Sequence, residues 1–227
     1  MKLYHTIILY FLFISVVYSQ IIPIGFVSSS VEAEAYVDTY VTIGTQKWLD
    51  HDLDITTYND GTAILFAENE AEWAAANSSQ TGVWCYNDYD SNTNIKLYNY
   101  YAIENVTNNG LIPNGWHLPS KSEYEALLSF IGGGGEGQAL KLMSPNFISS
   151  STEQPIGSSA TNDYGFNALR TKYIKDDGRS WGYQANWWTD TPSSLLIYTF
   201  ATKNSSELLF YTKSKGSGMA IRLLKDN

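Results

Sequence analysis

Cysteine is almost missing from this 227-residue chain: Cys85 stands alone, so no internal disulfide can form. Basic residues are scarce too, 14 Lys and Arg against 23 Asp and Glu, for a formal charge of −9. Nucleic-acid binders gather Lys and Arg into dense patches, so this balance argues against nucleic acid as a partner. Only 16% of residues are charged while 44% are hydrophobic, which excludes a disordered polypeptide. No internal repeat, G-x-S-x-G elbow or H-E-x-x-H pair is present, so the signatures of serine hydrolases and zinc proteases are missing. What abounds is aromatic: 7 Trp, 17 Tyr and 9 Phe. Rings in such number serve cores and binding surfaces alike.

The N-terminus reads as an address. Lys2 precedes an apolar run from Ile7 to Val17, and Val17 and Ser19 supply the small-residue cleavage signal of a secretory peptide. Residues 1–19 are thus expected to be a signal peptide and 20–34 a spacer, leaving 35–227 as a single domain, secreted or held at the cell surface. An uncleaved membrane anchor is the competing expectation, because Ile21, Ile22, Ile24, Phe26 and Val27 prolong the apolar stretch. No Cys follows the run, so a lipid anchor is not expected. Cys85 is expected to be a buried thiol rather than an intermolecular bridge or a nucleophile. Sequons at Asn77, Asn105 and Asn204 matter only in a host that glycosylates exported proteins.

Along the chain, Tyr36, Val41 and Ile43 alternate into Gly44-Thr45 and then Gln46–Leu49, a hairpin pattern. Asn69 caps a short helical segment to Ala76, with Trp73 facing inward. The clearest helix is Ser120 to Ile131: Ser120 and Glu123 form a capping box, and Tyr124, Leu127, Leu128 and Ile131 make one apolar stripe ending at Gly132. A second short helix is expected over Gln138 to Met143. Strands are expected at Phe166–Ile174, Trp181–Thr189, Leu195–Ala201, Leu208–Thr212 and Met219–Leu224. Two helices between strand-rich halves, without a βαβ rhythm, give an α+β class.

Six segments, in order, then spell a family. They are Ile43-Gly44-Thr45-Gln46-Lys47-Trp48, Tyr58-Asn59-Asp60-Gly61-Thr62, Gly115-Trp116-His117-Leu118-Pro119-Ser120, Asn162 to Leu169, Asn186 to Thr189, and Ser217 to Leu223. Together they resemble the Fibrobacter succinogenes major paralogous domain, from about residue 38 to 226. That resemblance implies a bacterial, exported protein with a C-type-lectin-like fold, twisted antiparallel sheets and long loops, and no well-defined activity. Family members usually carry two cysteines where this chain has Leu111 or Ile112 and Leu223, as expected if packing replaces a bridge. Sulfatase-modifying enzymes share the G-W-x-L-P-S pattern, but they oxidise with a cysteine pair that this chain lacks.

Three groups of residues remain as candidate sites. The loop from Asn87 to Asn94 sets hard oxygen donors at alternate positions, so Asp88, Asp90 and Asn92 are candidate calcium ligands, with an Asx-rich turn as the alternative. His51 and His117, aided by Asp50 or Asp52, would be needed for a metal-dependent enzyme. The sugar-binding signature of true C-type lectins is absent; Glu153-Gln154-Pro155 and Trp188-Thr189-Asp190 approach it in letters only. The aromatic-polar stretch from Trp181 to Trp188 offers Tyr183, Asn186, Trp187 and Trp188 as a ligand surface. Strand alternation sends Trp187 and Trp188 to opposite faces, so one of them is expected to be exposed if the stretch is a ligand platform; the alternative is that both are buried core rings.

The sequence therefore points to an exported, non-catalytic binding module for a surface glycan or protein, with no cofactor beyond the candidate calcium. The alternatives are the metal-dependent enzyme and a structural envelope or adhesion component. N-terminal sequencing of the exported protein is expected to begin at Gln20. A membrane-held form retaining Met1 contradicts that.

Overall fold

Local chemistry sets the first elements of the chain. The computed structural model describes residues 39–105, 107, 110–135, 137–146, 159–203 and 207–227. The expected signal peptide and spacer, Asn204 and the Glu153-Gln154-Pro155 segment lie outside these. Strands β1 (Tyr40–Ile43) and β2 (Gln46–Leu49) pair antiparallel across Gly44-Thr45. Gly44 has φ +64°, the left-handed backbone that a tight two-residue hairpin demands at its first turn position. After β3 (Leu65–Phe66), the Asn69 side chain accepts from Glu72 N and starts α1 (Glu70–Ser78), which buries Trp73. Strands β4 (Val83–Tyr86) and β5 (Lys96–Asn99) flank the Asp/Asn loop, and one-turn α2 (Tyr100–Ile103) follows.

Strand β6 (Trp116–His117) leads into α3 (Lys121–Ile131), whose capping box is complete: Ser120 Oγ accepts from Glu123 N, and Glu123 Oε2 accepts from Ser120 N at 2.7 Å. Gly132, at φ +102°, closes the helix in the left-handed region. Tyr124, Leu127 and Ile131 are buried as the stripe predicts, whereas Leu128 is only partly covered.

Gln138 to Met143 departs from expectation. It holds a single 3-10 turn, Ala139–Lys141, because Met143 and Ser144 are drawn off to bridge Ala168. The expected strand at Phe166 also shortens to β7 (Thr171–Ile174), since Asn162 and Asn167 turn left-handed and Phe166 is spent in the core. Ala185 divides the Trp181–Thr189 stretch into β8 (Ser180–Gln184) and β9 (Asn186–Ser193). Hairpin partners β10 (Leu196–Lys203) and β11 (Glu207–Lys213) follow, then the short β12 (Gly218–Met219) and β13 (Leu224–Lys225).

These strands make three sheets: β1-β2-β13-β6, β11-β10-β9, and β3-β4-β5-β12-β7-β8. Every named ladder is antiparallel except β3 with β4, so the architecture is α+β and mostly antiparallel. The described residues fall within one compact unit, Ala33–Asn227.

Two buried clusters fill the interior. One joins α1, α3, Trp48, Phe166, Trp187 and Phe200. The other joins Leu49, Leu53, Tyr98, Trp188, Met219 and Leu223. Of the positions where the resemblance implies cysteines in relatives, Leu111 and Leu223 are fully buried in the second cluster and Ile112 packs partly buried against it.

Ser120→Ala is expected to cost about 1 kcal/mol, the usual loss for a helix cap. Leu127→Ala is expected to cost about 2–5 kcal/mol and Leu128→Ala distinctly less, because only Leu127 would leave a closed cavity. Urea melts of the three variants give the order directly.

Candidate functional site

The strand alternation expected at Trp187 and Trp188 holds, and the expected exposure fails. Trp187 enters one core cluster and Trp188 the other, and both are 0% exposed. The reason is that β9 is covered on both faces, so opposite directions both lead into the protein. Trp187 Nε1 donates to Asp52 Oδ1 at 2.7 Å and Trp188 Nε1 to Tyr98 O at 2.8 Å, which satisfies both indoles without a ligand. Asn186 is likewise buried, its amide donating to Gln184 O at 3.0 Å. The side chain of Tyr183, on β8, lies outside the described part of the chain.

The exposed ring of this stretch is Trp181, 58% accessible. It stands directly opposite Tyr173 across the β7–β8 ladder, so the two rings share a face. Passing through Ala185 the chain leaves the six-stranded sheet for the three-stranded one. There a groove of about 200 Å³ opens, lined by Tyr173, Trp181, Gln184, Asn186, Tyr211 and Lys213. Tyr211 and Lys213 come from β11, the edge of the second sheet. Lys213 Nζ lies 3.7 Å from the Tyr173 ring centre, and Lys175 Nζ 3.9 Å from that of Trp181. The sequence signal for this ring is a Trp beside Gly182, in a strand whose other residues are mostly polar.

The Asp/Asn loop lines a separate cleft of about 410 Å³, with Asn87, Asp88, Asp90, Asn146, Arg170 and Lys172 in its wall. Asp88 Oδ2 accepts from Lys172 Nζ at 2.6 Å. Burial works against its charge, but the hydrogen bonds from Lys172 and Ser180 prevail and hold its carboxyl below the usual range. Asp90 Oδ1 accepts from Asn92 N at 2.9 Å and from Asn92 Nδ2 at 2.7 Å, the local pattern of an Asx-capped turn. Asp88 is thus turned to Lys172 while Asp90 and Asn92 serve each other. Among the described residues no group of three or more His, Cys, Asp or Glu side chains is arranged to hold a metal ion. Cys85 is buried as expected, and burial pushes its thiol pKa well up.

The two histidines serve different neighbours. His51 Nδ1 meets Asp50 Oδ1 at 2.7 Å, while Asp52 is taken by Arg222. His117 Nδ1 meets Asp226 Oδ1 at 2.6 Å and its Nε2 meets Glu123 Oε1 at 3.0 Å. His117 therefore ties β6 to the capping box of α3 and to the residue after β13.

A family model for the Fibrobacter succinogenes major domain matches residues 41–225. The chain belongs to that family. Comparison with curated proteins and with solved structures returns no match. Within this major domain the resembling segments contribute large buried side chains, Trp48, Phe166, Trp187 and Arg222 among them, whereas Trp181, Tyr211 and Lys213 fall outside those segments.

The histidine bridge makes stability pH-dependent. Burial disfavours charge on His117, but the hydrogen bonds its ring donates to Asp226 and Glu123 overcome it and raise its pKa above the ordinary 6.5. Glu123 is lowered from 4.5: burial opposes, yet the Ser120 hydrogen bonds and His117 win. A raised His contributes fully below 6.5 and loses its contribution as pH climbs through the raised value. The Glu123 contribution is present above 4.5 and fades as pH falls through the lowered value. Melting temperature is therefore expected to drop on the alkaline side of the His117 titration, and His117→Gln is expected to flatten that limb. Thermal melts from pH 5 to 9 decide it; identical slopes in both proteins contradict the bridge.

Proposed function

We propose that this major-domain protein is an exported, non-catalytic binding module of lectin-like fold whose ligand is a surface glycan. The observation that carries the reading is the exposed Trp181, opposite Tyr173 and beside Tyr211, at the junction of two sheets. An aromatic face stacks on the apolar face of a sugar ring, and Gln184 at the same groove supplies both donors and acceptors for hydroxyls. Rigid strands hold these groups in place, which limits the ordering cost of binding. The α+β class with mostly antiparallel strands is compatible with a C-type-lectin-like fold, and the family resemblance argues for export.

Catalysis is not part of the reading. Both ring nitrogens of His117 are engaged by carboxylates, so the metal-dependent alternative would have to break that bridge before using the ring. The reading invokes no cofactor, and calcium at Asp88, Asp90 and Asn92 enters the test as a variable.

A glycan array probed with and without calcium supplies the ligand. Trp181→Ala is expected to weaken binding by about 30-fold, the equivalent of about 2 kcal/mol for a central aromatic, at an unchanged melting temperature. Trp187→Ala is expected to destabilise the fold by about 3–5 kcal/mol instead. A Trp181→Ala protein that binds like the wild type contradicts this site.

A further inference from the structure

We infer that the groove selects a carboxylated sugar, a uronate-bearing oligosaccharide, over a neutral one; this rests on the glycan reading above. A groove for neutral sugars needs bare aromatic faces. Here two rings of the site carry an ammonium, Lys175 over the exposed Trp181 at 3.9 Å and Lys213 over the half-buried Tyr173 at 3.7 Å. Neither lysine forms an ion pair among the described residues. Their contacts to the rings are weak compared with an ion pair to a bound anion. A carboxylate offers each ammonium a charge-assisted hydrogen bond, roughly twice the strength of a neutral one.

The acidic groups nearby are already committed. Asp176 Oδ1 accepts from Ser217 Oγ at 3.0 Å and from Ser214 Oγ. Asp177 Oδ2 accepts from Arg179 Nε at 2.8 Å and Nη2 at 2.6 Å. Asp177 is offset by Arg179, while Asp176 keeps its charge against hydroxyl donors, so two lysines against one unpaired carboxylate leave a net positive site. This local positive site sits on a chain whose formal charge is −9. Long-range attraction cannot bring an anion here, since fields beyond about 10 Å are screened at 0.1 M salt. Selection must come from fit: a sugar ring against Trp181, its carboxylate at a lysine, and the lysine stems covering the remaining apolar edge.

Calorimetry on the protein, with hexagalacturonate and a hyaluronate hexasaccharide, each beside its methyl ester, tests the inference. Esterification keeps the ring and its hydroxyls while removing the charge. At least one acid form is expected to bind about tenfold tighter than its ester. Lys175→Met and Lys213→Met are each expected to lose about fivefold toward that acid form, the equivalent of an exposed ion pair near 1 kcal/mol, and distinctly less toward its ester, so that the acid-to-ester ratio falls. Lys213→Arg, which keeps the charge, is expected to retain wild-type affinity. Equal binding of acid and ester, or acid binding untouched by both Met variants, overturns the uronate inference and leaves the glycan reading standing. If no saccharide binds, acid or neutral, and Trp181→Ala changes nothing on the array, both fall together.

Discussion

Arg222 and Asp52 form a buried ion pair on which the packing of distant segments converges. Arg222 is 0% exposed and the Asp52 side chain 7%, and Arg222 Nε and Nη2 reach Asp52 Oδ1 at 2.9 and 2.6 Å. The same oxygen accepts from Trp187 Nε1, while Arg222 Nη1 donates to the carbonyls of Leu49 and Phe166. The Phe166 ring lies 4.4 Å from the guanidinium. Burying two charges costs several kcal/mol per ion, so the pair persists only where geometry satisfies it. Asp52 Oδ2 is buried without a hydrogen bond, so the satisfaction is incomplete. Removing one partner from such a pair typically costs about 3–5 kcal/mol, far more than an exposed bridge contributes. A single guanidinium thereby holds the β2 exit, the loop before β7, strand β9 and the final segment together.

This convergence explains why the segments that identify the family carry packing rather than the proposed recognition. Trp48, Phe166, Trp187 and Arg222 belong to four of the six resembling segments, and all are buried. His117 and Ser120 of a fifth join α3 to β6 and β13 through Glu123. Residues fixed by packing leave little freedom for recognition. The proposed recognition has room at the sheet edges, where Trp181, Tyr211 and Lys213 line the groove.

The groove also uses an edge that sheets must otherwise protect. Strands β8 and β11 terminate their sheets, and unpaired edges invite association with other chains. The lysines at 175 and 213 lie beside these edges, a placement that discourages strand addition while keeping the ring faces reachable.

Local signals in the sequence were enough for the elements whose determinants lie close together in the chain. Ser120, Glu123 and Gly132 bounded α3, Asn69 capped α1, Gly44 turned the first hairpin, and the period-two pattern correctly sent Trp187 and Trp188 in opposite directions. The six segments were enough to place the chain in its family. Only the tertiary structure decided that both tryptophans are core and Trp181 is the exposed ring. Alternation gives the direction of a side chain but not what covers each face, and β9 is covered on both sides by elements far away in sequence. The same holds for Arg222 and Asp52, which are 170 positions apart. No local pattern marks two charges that become partners only when the last segment of the fold closes on the first.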